Sequence, residues 1–193
     1  MRILAISGSL RRDSHNTALL RAAASLLPPA LELELYPALD GIPPFSEDHL
    51  GHPAIAVQEL GDAVAAADAL LIATPEYNSS IPGVLKIALD WLSRPLAESV
   101  LRNKPVAVVG ASTGMFGAVW AQAETRKVLG AIGARVLDLE LAVPTAHEQF
   151  DAAGRLTDAT LEQELAGTLR ALAQSAGERA RVPQASDAFG GPA

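Results

Sequence analysis

Three loops rich in hydrogen-bonding side chains are the parts of this chain whose residue types could do chemistry. The segment 74–83, TPEYNSSIPG, follows the apolar run 69–73 and precedes an amphipathic run. Its carboxylate, phenol, amide and hydroxyl groups supply donors, acceptors and one flat aromatic face. This inventory favours a planar heterocycle as the ligand over a metal ion or a nucleic acid.

The segment 8–17, GSLRRDSHNT, has the composition of a phosphate-binding loop. It leaves the first apolar run and opens a helix, whose N-terminus offers free N–H groups and the positive end of the helix dipole. Side-chain donors come from Ser9, Ser14, Asn16 and Thr17, and Arg11 or Arg12 can add positive charge. In the alternative reading, Ser14 or Asn16 only caps the helix and the arginines are solvated. The segment has neither the Walker pattern nor the G-x-G-x-x-G dinucleotide pattern.

The segment 110–117, GASTGMFG, contains G-x-S-x-G between a strand and a helix, as a nucleophile elbow does. Asp138 and His147 follow Ser112 in the order Ser, Asp, His, so a serine hydrolase is a rival interpretation. A hydrolase would leave the other two loops without a role. In the other interpretation, small groups of this loop approach the edge of a flat ligand.

Alternating strands and helices must position these loops. Apolar runs predict strands, and the 3.6-residue period predicts helices. The strands are expected at 2–7, 31–36, 69–74, 105–110 and 135–141, and the helices at 16–27, 54–67, 84–94, 118–132 and 160–176. This order predicts an α/β fold, a doubly wound, flavodoxin-like parallel sheet of five strands in the order 2-1-3-4-5 with helices on both faces. The loops at 8–17 and 74–83 then leave the two strands that flank the switch point, where ligands bind.

Composition narrows the class of protein. The 193 residues carry a net charge of −7 and no cysteine, so thiolate catalysis, disulfides and cysteine-bound metals are excluded. The acidic balance argues against nucleic acid and anionic membranes as partners. No apolar run approaches membrane-spanning length, and the histidines show no metal-binding spacing, so we expect a cytoplasmic protein without a metal site. Residues 1–176 are expected to form one domain and 177–193 a flexible tail.

Taken together, the three loops resemble those of the NADPH-dependent FMN reductase family, especially its chromate and quinone reductases. The resemblance covers roughly residues 1–175 and rests on GSLRRDSHN at 8–16, TPEYNSSIPGVLKIALDWLSRP at 74–95 and GASTGMFG at 110–117. The family typically has asparagine at the position of Ile87.

The resemblance implies non-covalently bound FMN, with NADPH or NADH as co-substrate. It implies that the FMN phosphate is held by Ser9, Arg11, Ser14, Asn16 and Thr17. The isoalloxazine ring would be lined by Pro75, Glu76, Tyr77, Asn78 and Ser79, and its pyrimidine end by Ser112, Thr113 and Gly114. No side chain is required as an acid or base for hydride delivery, so no catalytic residue is predicted.

The activity implied by the resemblance is ping-pong electron transfer from NAD(P)H to a small acceptor. Candidate acceptors are quinones, flavins, azo compounds and metal ions such as chromate. The resemblance also implies a homodimer or homotetramer, for which the apolar helix around Trp91 could serve as the interface. The alternatives are an FMN-binding electron carrier and, further off, a serine hydrolase that uses Ser112.

Overall fold

The computed structural model describes residues 1–37 and 39–181. It contains the strands β1 (Arg2–Ser7), β2 (Glu32–Leu35), β3 (Ala69–Ala73), β4 (Pro105–Ala111), β5 (Arg135–Val136) and β6 (Leu141–Val143). The α-helices are α1 (His15–Ser25), α2 (Ile55–Ala66), α3 (Gly83–Leu92), α4 (Val119–Ile132) and α5 (Ala159–Arg181). Within the described residues, no helix is both long and apolar enough to cross a bilayer.

The sheet is parallel and has the order β2-β1-β3-β4-β5, with β6 also paired to β4. This confirms the predicted flavodoxin-like order. β3 and β4 are buried along their whole length, as expected of parallel strands covered on both faces. β2 lies at the edge and alternates between exposed and half-buried positions, which explains its strictly alternating sequence.

Two hydrophobic clusters fill the space on either side of the sheet. One joins alternate strand residues to α1 and α5, and the other joins the remaining strand residues to α2, α3 and α4. Ile87 packs against the second cluster, so the apolar residue found where the family usually has asparagine is accommodated by core contacts. Trp91 is 4% exposed, and its indole N–H donates to the Pro43 carbonyl at 2.8 Å. This side chain is therefore used inside the chain and is not free to form a subunit interface.

The structure differs from the prediction at two places. The single strand expected at 135–141 is two short strands. The Leu137 N–H still donates to the Val106 carbonyl of β4, but 138–140 leave the sheet, and Arg126 of α4 binds Glu140 and the Leu139 carbonyl there. The last helix continues through 177–181, which was expected to belong to the tail. Arg135 bridges to Glu178 at 3.7 Å, and Arg179 and Arg181 suit the negative end of the helix dipole. The rest of the expected tail, 182–193, lies outside the described residues.

Candidate functional site

A cleft opens where β1, β3 and β4 end, at the predicted switch point of the sheet. Its cavity volume is about 200 Å³, and it is open to solvent. All three polar loops contribute to its wall, which is formed by Ser9, Arg11, Ser14, His15, Asn16, Pro75, Glu76, Tyr77, Ala111, Ser112 and Thr113.

The first loop presents the N-terminus of α1 to the cleft. Ser14 is the N-cap, and its Oγ accepts from the Thr17 N–H at 3.2 Å, which leaves the hydroxyl proton free to donate. Among the described residues, no group accepts from the N–H of His15 or Asn16. The Arg11 guanidinium is exposed and donates to the Asp13 carbonyl. These groups form a positive, donor-rich end of the cleft.

Asn16 ties the first loop to the end of β4. Its side-chain Nδ2 donates to the Ala111 carbonyl and its Oδ1 accepts from the Ala111 N–H, both at 2.9 Å. Asn16 is 3% exposed, and the two residues are 95 positions apart in the sequence. The side chain therefore holds two walls of the cleft together, and it does so without using the Asn16 backbone N–H.

The second loop is fixed to α4 by a carboxylate. Glu76 Oε2 accepts from the N–H groups of Trp120 and Ala121 at 3.1 and 3.2 Å, so Glu76 caps the start of α4 from another loop. Beyond it, Tyr77 and Ser80 exchange backbone hydrogen bonds around a two-residue turn. Both residues inside that turn, Asn78 and Ser79, have positive φ angles of 52° and 60°. Asn78 and Ser79 are exposed and do not line the cleft, whereas Tyr77, 52% exposed, is part of its wall.

Two glycines shape the third loop. A Cβ at Gly110 would lie 2.8 Å from Gln122 Nε2 and 3.0 Å from the Thr74 carbonyl. Gly117 has a φ of 57°, and a Cβ there would lie 2.7 Å from the backbone of Ala142 and Val143. Gly117 therefore requires glycine, and a side chain at Gly110 would fit only if its neighbours shifted. The loop is therefore packed tightly against its neighbours, and its Thr113 N–H is left without an acceptor among the described residues.

His15 is the titratable group that the structure adds to the cleft. Its ring lies over that of Phe150, with centroids 6.3 Å apart and planes within 7° of parallel. Partial burial, together with the positive charges of Arg11 and His147, lowers the pKa of His15 below its ordinary value. The neutral imidazole is thus favoured while the cleft contains no anion.

Comparison with known proteins identifies the family. The family profile described as NADPH-dependent FMN reductase matches residues 1–148. The chain belongs to the NADPH-dependent FMN reductase family. This confirms the resemblance seen in the three loops, and with it the prediction of an NAD(P)H-dependent enzyme of the FMN and quinone reductase group. Family membership also supports a flavin as the cofactor.

Similar proteins agree with this assignment. The chain is 44% identical over 175 residues to an NAD(P)H-dependent FMN reductase of Pseudomonas aeruginosa, covering 89% of this chain and 93% of that one. It is 38% identical over 157 residues to a 2-hydroxy-1,4-benzoquinone reductase of a Burkholderia species, covering 81% and 85%. The solved structure of FerB, a flavoenzyme NAD(P)H:(acceptor) oxidoreductase from Paracoccus denitrificans, superposes with a TM-score of 0.81 at 31% identity, covering 92% and 97%.

The structure brings most of the predicted site residues of this FMN reductase family member to one cleft. Those on its wall are Ser9, Arg11, Ser14, Asn16, Pro75, Glu76, Tyr77, Ser112 and Thr113. Four others lie off the wall. Thr17 faces a smaller pocket behind the first loop, where its hydroxyl donates to Ser7 Oγ at 3.0 Å. Asn78 and Ser79 form the exposed turn, and Gly114 donates its N–H to Ser112 Oγ at 3.1 Å.

The geometry around Ser112 does not form a hydrolase triad. Ser112 is absent from the residues with positive φ, and α4 begins only at Val119, whereas a nucleophile elbow is a sharp, strained turn directly into its helix. His147 contacts Glu148 at 3.4 Å, and Asp138 lies in a separate pocket against α5. Among the described residues, no hydrogen bond joins Ser112 to a histidine.

Two wall residues, His15 and Ala111, were missed by the sequence interpretation. Ala111 carries no side-chain signal, because only its backbone takes part. His15 lies within the predicted phosphate loop at the first position of α1. Its place next to the capping serine was the signal that could have identified it.

Proposed function

We propose that this protein is an FMN-containing, NAD(P)H-dependent oxidoreductase that passes electrons to quinones or similar small acceptors. The observation that carries the proposal is the donor-rich N-terminus of α1, which opens into a cleft walled by three loops of the FMN reductase type. The names of the P. aeruginosa, Burkholderia and Paracoccus relatives support a flavin-dependent reductase, and the Burkholderia relative supports a quinone as acceptor.

The phosphate of FMN suits the first loop. The free N–H groups of His15 and Asn16, the Ser9 and Ser14 hydroxyls and the Arg11 guanidinium provide donors for a group with three acceptor oxygens. The Asn16 side chain is engaged with Ala111, so its contribution to the phosphate is through its backbone.

The isoalloxazine ring suits the space between the second and third loops. Pro75 and Tyr77 offer apolar and aromatic surface, and the N–H groups of Glu76 and Thr113 have no acceptor among the described residues. Such N–H groups can stabilise negative charge on a flat heterocycle. Because both loops are fixed by tertiary hydrogen bonds, these donors are oriented before any ligand arrives.

The protein's own role is to bind and orient FMN and to give NAD(P)H and the acceptor access to it. When bound, FMN supplies the hydride and electron transfer between NAD(P)H and the acceptor. The cleft is open to solvent on one side, so we expect NAD(P)H and the acceptor to approach the ring from that side in turn. Alternating use of one site by NAD(P)H and the acceptor gives ping-pong kinetics. Because the site is open, azo compounds and chromate are also candidate acceptors.

A homodimer or homotetramer is part of the proposal. Phe116 and Trp120 pack edge to face at 5.0 Å, yet they are 54% and 49% exposed, and neighbouring Met115 is 73% exposed. Exposed apolar groups clustered in this way favour an interaction surface. Light scattering of the protein and of Trp120→Lys tests it, and an unchanged mass in the variant would contradict this location of the interface.

The first experiment is a visible absorption spectrum of the FMN-loaded protein, repeated without oxygen after addition of NADPH and then NADH. We expect flavin bands that bleach and then recover when a quinone is added. Bands that persist with both nucleotides would favour the electron-carrier alternative. Failure to bind FMN would refute the proposed function, and labelling of Ser112 by a fluorophosphonate would revive the hydrolase.

A further inference from the structure

His15 occupies a position where an anion would meet it. It is the first residue of α1 and lines the cleft. The Ser14 cap and the exposed Arg11 precede it in the same loop and line the same cleft. Its ring is held on Phe150 rather than left free in solvent. Among the described residues, its imidazole nitrogens form no hydrogen bond to a protein group, so they remain available to a ligand.

The charges around His15 come from several elements. Arg11 on its own loop and His147 on the short 3-10 turn Ala146–Glu148 both oppose a positive imidazole. Three acidic groups nearby have partners: Glu76 caps α4, Glu148 contacts His147 at 3.4 Å, and Asp151, beside Phe150, bridges to Arg155 at 2.7 Å. Asp13 and Arg12, of opposite charge, are both exposed on the loop of His15. The charges that act measurably on the His15 imidazole are those of Arg11 and His147, and both disfavour its protonated form.

We propose that His15 takes up a proton when FMN binds and serves, beside Arg11, as a second cation for its phosphate. This inference rests on the proposed function, since it assigns the phosphate to the first loop. It adds a further residue of the cleft wall to the phosphate site and makes FMN affinity dependent on pH.

The physical argument is one of charge balance. A phosphate monoester brings about −1.5 to −2 charges near pH 7, and an opposite charge at close range favours the protonated imidazole. The groups that lower the pKa of His15 in the free protein are then outweighed. Uptake of this proton must make the FMN affinity depend on pH. For each unit by which FMN raises the pKa of His15, FMN binds about tenfold more tightly at pH values where His15 is protonated in the complex and in the free protein.

The test compares the wild-type protein with His15→Phe, which keeps an aromatic ring for Phe150 to contact but cannot be protonated. Calorimetric titration with FMN near pH 7, in two buffers of different ionisation enthalpy, measures the protons taken up per FMN. We expect the wild type to take up about half to one proton more than the variant. Its advantage in FMN affinity should be about tenfold at about pH 6 and should nearly vanish by about pH 8.5.

Three controls make the result specific to His15 and the phosphate. Riboflavin lacks the phosphate, so its affinity should follow the same pH curve in both proteins. His52→Gln removes an exposed histidine away from the cleft and should behave as the wild type. His15→Gln, which also cannot be protonated, replaces the first variant if the larger ring disturbs the fold.

Equal proton uptake and parallel pH curves in wild type and variant would overturn the role of His15 while leaving the FMN site intact. A wild-type protein that binds no FMN would instead refute the proposed function. The two failures are thus distinguished by the same titration.

Discussion

Replacing Asn16 by alanine separates the two roles that this residue could have, holding the loops together or binding the phosphate. The substitution removes both 2.9 Å hydrogen bonds to Ala111 and leaves the Ala111 N–H and carbonyl without partners. Each orphaned buried group costs about 1–3 kcal/mol, and water from the adjacent cleft can reach part of the gap. We therefore expect the free energy of unfolding to fall by about 2–4 kcal/mol.

Thermal unfolding of the FMN-free protein is the decisive assay. For a protein of this size, each kcal/mol lowers Tm by about 2–4 °C, so Asn16→Ala should melt about 5–15 °C below the wild type. Asn16→Asp is the matched control. The aspartate keeps an oxygen that accepts from the Ala111 N–H, but its other oxygen replaces the donor to the Ala111 carbonyl and repels it. This variant should therefore also be less stable than the wild type. An alanine variant that melts with the wild type and has merely lost FMN affinity would refute the reasoning.

Three further predictions follow from described contacts. Arg11→Ala should weaken FMN binding about tenfold or more, because it removes a positive charge from the phosphate site. Its Tm should not change, because Arg11 is exposed. Fluorescence titration with FMN measures the affinity, and an unchanged affinity would exclude Arg11 from the phosphate site. Glu76→Gln should lower the free energy of unfolding by about 1 kcal/mol, because the carboxylate charge interacts with the dipole of α4. Urea titration should show a smaller loss in high salt, and a loss independent of salt would argue against this charge–dipole contact. Lys104, 1% exposed, has a pKa lowered to about 8 chiefly by burial. At pH values between this pKa and the higher pKa of Lys104 in the unfolded chain, the unfolded chain carries a proton that the folded chain lacks. The free energy of unfolding of the wild type, relative to that of Lys104→Met, should therefore rise with pH by up to about 3 kcal/mol. A constant difference from pH 8 to 10.5 in urea titrations would contradict it.

The fold was predictable because local pattern and burial agree in its central strands. β3 and β4 are apolar throughout because helices cover both their faces, and β2 alternates because one side of an edge strand faces solvent. The run at 135–141 alternates in the same way, but it is interrupted between β5 and β6, where Arg126 of α4 binds Glu140 and the Leu139 carbonyl. That contact has no signature in the run itself.

The candidate site was predictable as three loops but not as individual contacts. The composition of 8–17 and 74–83 identified the donors, and the strand order brought them together. Partners remote in sequence decided the rest. Glu76 was expected to line a flat ring, yet its carboxylate also binds N–H groups 44 and 45 positions further along the chain. Asn16 looked like a phosphate ligand or a cap, and its amide is engaged with Ala111 instead.

The pairing of Asn16 with Ala111 also has a consequence for the order of folding. The first loop is synthesised early, but its shape is completed by a strand that emerges 95 residues later, so no N-terminal fragment lacking β4 can form the cleft. We expect a contact of such long range to form late in folding, because loop-closure entropy opposes it until much of the chain is in place. A ligand that binds only the finished cleft would therefore act after the folding barrier, slowing unfolding and leaving the rate of folding unchanged. The lifetime of the native protein in a cell would then follow its supply of cofactor.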